Sequence, residues 1–210
     1  MYNVPHFKTD DQQEVIAFMH AHPFIVLCGA DAGGNPVATH IPALIEERDN
    51  KLFLLAHVMR KQQHTKAFEA NPNVLAIFHG AHTYVSASWY ENKRSAATWN
   101  YQAVHVKGIL RFTGEEGLHN LLVKLTEKFE QNPDSPSLVQ KMEDGYVKNM
   151  MKAIIAFEIE VTAIEHVFKL SQNKDERTYE NVTEKLGQSD ADAQTIAALM
   201  KERKQKVFPG

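Results

Sequence analysis

The chain has a single cysteine, Cys28, among its 210 residues, so neither an intrachain disulfide nor a cysteine-only metal site can form. It has no apolar run near the roughly 20 residues that a bilayer span requires. Its first residues, M-Y-N-V-P-H-F-K, carry neither the basic start nor the apolar stretch of a secretory signal. These absences predict a soluble, cytosolic protein with no membrane partner. A basic excess is missing too: the formal net charge is −3, only residues 201–206 are locally basic, and no helix-turn-helix pattern is recognisable, so direct DNA binding is not expected. No glycine-rich nucleotide fingerprint opens a helix; Gly33-Gly34 lies between two apolar runs and reads as a hairpin turn. The 11 histidines invite a metal, but no H-E-x-x-H and no supporting cysteine or carboxylate pattern accompanies them, and none is assigned. Cys28, inside an apolar run, reads as a small core residue.

What is present is a succession of strands with single helices between them. Thr9 with Gln12 reads as a capping box, followed by an apolar face of Val15, Ile16, Phe18 and Met19 that ends at residues 20–23. Residues 24–28, F-I-V-L-C, form a short continuous apolar strand. Residues 31–35 are a turn cluster, and 36–45 pair back as a second strand that Pro42 confines to an edge or a bulge. After a turn at 48–50, residues 51–57 give a third strand, 59–70 take helical spacing, and 74–79 give a fourth strand. Two further strands fall within 80–108, separated by a polar loop at 91–97, and alternation continues to 113. Residues 115–131 form the clearest helix, with Leu118, Leu121, Leu122, Leu125 and Phe129 on one face. A loop at 132–137, a helix over 138–152, a strand over 153–164 and a terminal helix over 191–206 complete the chain. This is not the regular strand–helix alternation of a doubly wound sheet. A mainly antiparallel barrel or sandwich with peripheral helices is expected.

Both tryptophans, Trp89 and Trp99, lie in the stretch 80–108 with Tyr84, Tyr90, Tyr101, His82 and His105. Aromatic strands that also carry histidine, serine and asparagine need partners for those polar groups, which suits a ligand or subunit wall. His40, His57 and His105 lie within or at the end of apolar strands, and three such histidines on neighbouring strands suggest a shared cleft. The segment Ala56-His57-Val58-Met59-Arg60-Lys61 passes from strand to helix, where backbone N–H groups and two adjacent cations would suit a phosphate.

The ordered motifs H-x-M-R-K…N-P-N-V-L-A-I-F, G-A-H-T-Y-V-S-A-S-W-Y, T-W-N-Y-Q-A-V-H-V-K-G and F-E-I…F-K-L-S-Q-N-K resemble the PaiB family across residues 4–174. These are FMN-binding split-barrel proteins described as negative transcriptional regulators and related to the pyridoxamine 5′-phosphate oxidases. The resemblance implies a mainly β, α+β fold built on a six-stranded split β-barrel over residues 1–174, with residues 175–210 as a helical C-terminal extension. It implies a homodimer with FMN in the groove between subunits. It places the flavin phosphate against Arg60 and Lys61 beside Ala56 and His57. The strand carrying Thr39, His40 and Ile41 falls where relatives lay backbone against the flavin ring, and Asn100, Tyr101 and His105 fall on the wall at the dimer side. Family members commonly carry proline at the positions of Ala87 and Ala97 and glycine at that of Ala156, and the serine of the oxidases' Ser-Arg-Lys is Met59 here. The oxidases' C-terminal arginine and histidine pattern is absent, which argues against vitamin B6 oxidation. The expected function is that of a regulator or a redox or metabolite sensor. The alternatives are an FMN-dependent oxidoreductase, with His57 and His105 as candidate proton donors, and a haem-binding split-barrel protein.

Overall fold

The computed structural model describes residues 1–209. In chain order it contains α1 (Gln12–Ala21), β1 (Phe24–Ala30), β2 (Pro36–Pro42), β3 (Leu44–Arg48), β4 (Lys51–Met59), α2 (Gln63–Ala70), β5 (Asn73–Val85), β6 (Thr98–Phe112), α3 (Glu115–Glu130), α4 (Asp144–Met151), β7 (Ile154–Lys169), α5 (Glu176–Leu186) and α6 (Ala191–Val207). The strands make one sheet in the order β2-β1-β5-β6-β7-β4-β3. The chain divides into two compact units, one of residues 1–18, 79–104 and 165 onward, the other of residues 19–78 and 105–164.

In the second unit the β1–β2 hairpin runs in register from Phe24↔Pro42 to Ala30↔Pro36. Its turn is tied by Asp31, whose Oδ1 accepts from the backbone N–H groups of Gly33 and Asn35, each at 2.9 Å, while Gly34 takes a φ of 81°. Pro42 is tolerated because β2 is an edge strand and needs no second ladder partner. Edge strand β3 pairs with β4, which pairs in turn with β7 from Phe53↔Glu160 to Met59↔Ile154. Strands β2 and β4 are far apart in sheet order, yet their Cα atoms come within 8 Å. The sheet therefore curls round on itself as a half-barrel. Its core includes Leu44 and Ala156 with Leu118, Leu121, Leu125, Val139, Val147 and Met151.

The first unit has its own core. Val85, Tyr90 and Leu170 pack with Tyr179, Val182 and Leu186 of α5 and with Ala193, Ile196, Ala197 and Met200 of α6. The two helices are capped by Asp175 and Asp190, whose carboxylates accept from Thr178 N at 2.8 Å and Ala193 N at 2.9 Å.

Several expectations change. The sheet has seven strands, not six, because residues 36–45 split at Ala43 and the second part pairs with β4. The strands expected at 74–79 and within 80–90 are one, β5, whose alternating burial runs through Gly80. Strand β6, Thr98–Phe112, matches the alternation read through residue 113, whereas β7 extends beyond 164 to Lys169. Asp11, not Thr9, faces the free N–H groups at the start of α1: its Oδ1 accepts from Gln13 N at 2.9 Å, whereas the Thr9 hydroxyl donates to Glu14. Phe129 is 49% exposed and lies off the buried face of α3. Residues 138–152 break at 142–143 into a short 3-10 turn and α4. Helix α5 lies within residues 175–210, where the residues themselves had marked only 191–206 as helical.

Candidate functional site

Strand β4 and the turn after it hold the greatest concentration of unused chemistry. Leu54, Ala56 and Val58 face inward and are buried, so the intervening His57 projects from the other face. His57 is half-buried, and its Nδ1 is shielded from water with no hydrogen-bond partner. Burial holds its ring below the usual histidine pKa, so the neutral form is favoured. A buried polar nitrogen without a partner is costly, and a ligand group that bonds it would remove that cost.

The helix after β4 starts at Gln63 rather than at 59, so Arg60 and Lys61 lie in the turn and not on a helix face. The turn is pinned at both ends: Arg60 N donates to Ala153 O at 2.9 Å, and the buried Thr65 hydroxyl donates back to Met59 O at 2.7 Å. Lys61 takes a φ of 65°, a left-handed conformation that non-glycine residues adopt rarely. Both side chains are exposed. Among the described residues the ion pairs of this unit engage Arg48, Lys51, Arg111, Lys124 and Lys141, and neither Arg60 nor Lys61 takes part. Gln62, at the N-cap of α2, makes no side-chain capping bond, leaving first-turn N–H groups available. Two unpaired cations beside an uncapped helix start form a donor set suited to a dianionic phosphate.

Strand β2 supplies Thr39, His40 and Ile41. Ile41 is buried, Thr39 half-buried and His40 exposed, with the His40 ring 6.2 Å from that of Phe24. The curl brings β2 and β4 together, and α2 packs on β1 and β2. Thr39, His40, Ile41, Ala56, His57, Arg60 and Lys61 therefore all lie on elements of the second unit that approach one another. His105, half-buried on β6, belongs to the same unit.

Asn100 and Tyr101 belong to the first unit. Tyr101 is half-buried, and burial, with Tyr2 nearby, raises its phenol pKa. Asn100 is fully buried and its amide is already engaged: Nδ2 donates to Ser171 Oγ at 3.0 Å, and Oδ1 accepts from the same hydroxyl at 3.1 Å. It has no free group to offer a ligand. Thr65 and the uncapped α2 start were not anticipated. Gln62 at the N-cap position is a poor capping residue, which is the sequence signal for the uncapped start. Cys28 is half-buried and burial raises its pKa, in keeping with a packed thiol. Among the described residues no three His, Cys, Asp or Glu side chains converge on a metal position, and no helix is long and apolar enough to cross a membrane.

A curled seven-stranded half-barrel is the architecture of a split barrel. Residues 1–163 match the family described as "Putative FMN-binding domain"; the chain belongs to this FMN-binding split-barrel family, and FMN is its cofactor. It is 33% identical over 207 residues to the protein "Protease synthase and sporulation protein PAI 2" of Bacillus subtilis, a match that covers 98% of this chain and 99% of that one, so the likeness is to the PaiB branch. Among solved structures, the FAD and heme binding protein of Mycobacterium smegmatis superposes with a TM-score of 0.58 at 14% identity, covering 77% of this chain and 72% of that one. The flavocytochrome Anf3 of Azotobacter vinelandii gives 0.53 at 16% identity over 77% of this chain and 68% of that one. These two establish the fold.

Proposed function

We propose that this protein is a cytosolic homodimeric FMN sensor whose flavin occupancy or redox state regulates gene expression. The observation that carries the reading is the turn after β4, with Arg60 and Lys61 unpaired beside an uncapped α2. In this reading Arg60, Lys61 and the first N–H groups of α2 hold the FMN phosphate. His57 gives its unpartnered Nδ1 to the bound flavin, and Ala56, whose side chain faces inward, offers backbone beside it. Thr39, His40 and Ile41 line the ring along β2. His105 forms wall on β6; Tyr101 and Asn100 lie in the first unit, where Asn100 holds Ser171 and the turn that follows β7. Flavin supplies electron acceptance and donation; the chain binds it, orients it and keeps His57 neutral.

The regulatory part is supported by nearly full-length likeness to a protein named for protease synthesis and sporulation. With a net charge of −3, regulation is expected to run through a partner protein or a metabolite rather than through a broad DNA-binding face. Two measurements test the reading. Size-exclusion chromatography with light scattering should give twice the chain mass. A gel shift on candidate promoter DNA should be absent at physiological salt; salt-sensitive retention there would contradict indirect action.

A further inference from the structure

The turn that carries Arg60 and Lys61 redirects the chain from strand to helix within three residues, because β4 ends at Met59 and α2 starts at Gln63. Three backbone features set its course. Arg60 N donates to Ala153 O at 2.9 Å, Lys61 takes a left-handed φ of 65°, and Lys66 N donates to Gln62 O at 3.2 Å as the helix opens. None of these ties the strand end to the helix. The Thr65 hydroxyl does: it donates to Met59 O at 2.7 Å, six positions back along the chain. Thr65 is 2% exposed, so water does not compete for the bond.

A threonine bonded to a nearby backbone carbonyl is commonly no more than a local tie. This one spans the two halves of a donor set. Arg60 and Lys61 bring the charge, and the first turn of α2, to which Thr65 itself belongs, brings the N–H groups that no capping side chain takes up. The long side chains of Arg60 and Lys61 can follow a ligand, whereas backbone N–H groups cannot. Charge-assisted hydrogen bonds hold over about 2.7–2.9 Å, so a small shift of the helix start against the strand end removes the backbone share. Replacing the hydroxyl by a methyl group exchanges the 2.7 Å contact for a C–H···O contact of about 3.3–3.6 Å, a displacement of about 0.6–0.9 Å. Ala67 and Phe68 are buried and α2 packs on β1 and β2, so the helix stays seated and the movement falls on residues 59–62.

We propose that Thr65 is a positioning residue for the flavin phosphate, acting through Met59 and the turn at 60–62 so that the site prefers a phosphorylated flavin to riboflavin. This role rests on the assignment of the phosphate to Arg60, Lys61 and the start of α2. The test uses the full chain, with flavin-fluorescence titration by FMN and by riboflavin, and amide hydrogen exchange of the apoprotein. Thr65→Val should weaken FMN by about five- to tenfold, the effect of one impaired charge-assisted contact, and leave riboflavin affinity unchanged. In the apoprotein it should speed exchange over residues 60–65. Thr65→Ser keeps the hydroxyl and should restore both FMN affinity and slow exchange. Unchanged FMN affinity in Thr65→Val, an equal loss for riboflavin, or Thr65→Ser no better than Thr65→Val would overturn the proposal. The double variant Arg60→Ala with Lys61→Gly separates the two levels. If it keeps the preference for FMN, the phosphate assignment fails and the positioning role falls with it; if it loses that preference while Thr65→Val keeps it, the positioning role alone fails.

Discussion

The double variant Arg60→Ala with Lys61→Gly separates charge from fold. Arg60 is exposed and its backbone bond to Ala153 O, at 2.9 Å, does not involve the side chain. Lys61 sits at a φ of 65°, which costs an L-residue about 1–2 kcal/mol and glycine little. The substitution therefore removes both cations while relaxing the backbone, and apo stability should be unchanged or slightly higher. Each cation contributes a charge-assisted hydrogen bond to the FMN phosphate, worth about 1.5–3 kcal/mol when the bond is well made. Both side chains remain accessible to water, which weakens each contact, so the pair together is expected to contribute about 2–4 kcal/mol. That corresponds to a roughly 30- to 900-fold loss of FMN affinity. The assay is quenching of flavin fluorescence at low salt, run with FMN and with riboflavin. Wild type should prefer FMN, and its FMN affinity should fall with added salt as phosphate contacts are screened. The variant should bind riboflavin as wild type does and should lose both the preference and the salt dependence. An unchanged FMN affinity would refute the phosphate assignment. An equal loss for riboflavin would show that the turn acts on the ring.

Three further outcomes follow from the packing. Gly108→Ala would place a Cβ 2.4 Å from Ile159 Cγ2 and 2.6 Å from the Glu160 carbonyl, so urea unfolding should register a loss of about 1–3 kcal/mol. Asn100→Leu strands the Ser171 hydroxyl in a fully buried place and should cost about 1–3 kcal/mol by the same assay. His166 Nε2 accepts from Thr9 N at 2.9 Å, which only the neutral ring can do. Its folded pKa is lowered by burial first and by Lys8 second, as that of His57 is by burial. The unfolded chain therefore binds more protons as pH falls through about 6.5, and stability drops below that pH while changing little above it. Melting temperatures between about pH 5 and 8 should trace this fall, and His166→Gln, whose amide oxygen can still accept from Thr9, should reduce it.

Local signals carried much of the fold. The β1–β2 hairpin was legible because an apolar run, a Gly-Gly turn and an edge-confining Pro42 all pointed the same way, and α3 was legible because Leu118, Leu121 and Leu125 repeat at helical spacing. The misreadings have physical causes. Gly80 looked like a break, but it is buried and β5 runs straight through it, whereas the alternation across Gly108 already marked β6 as continuous there. Helix α5 was hidden by its polar composition, since only Tyr179, Val182 and Leu186 supply a large apolar face, and its Asp175 cap follows the polar run Ser171-Gln172-Asn173-Lys174. The cationic corner was legible as residue types, Arg60-Lys61 after an apolar strand. Its quality as a site depends on what sequence does not display: the later start of α2, the left-handed Lys61 and the absence of competing carboxylates. Asn100 was attractive as a polar residue on an aromatic strand, and only its pairing with Ser171, 71 positions away, removes it from the ligand.

The central claim is that this chain holds FMN, and the absorption spectrum of the purified protein, followed by equilibrium titration with added FMN, tests it most directly. The account predicts oxidised-flavin bands in the protein as isolated, or saturable uptake of one FMN per chain that is lost with Arg60 and Lys61. A colourless protein that takes up no FMN at saturating concentration would contradict it.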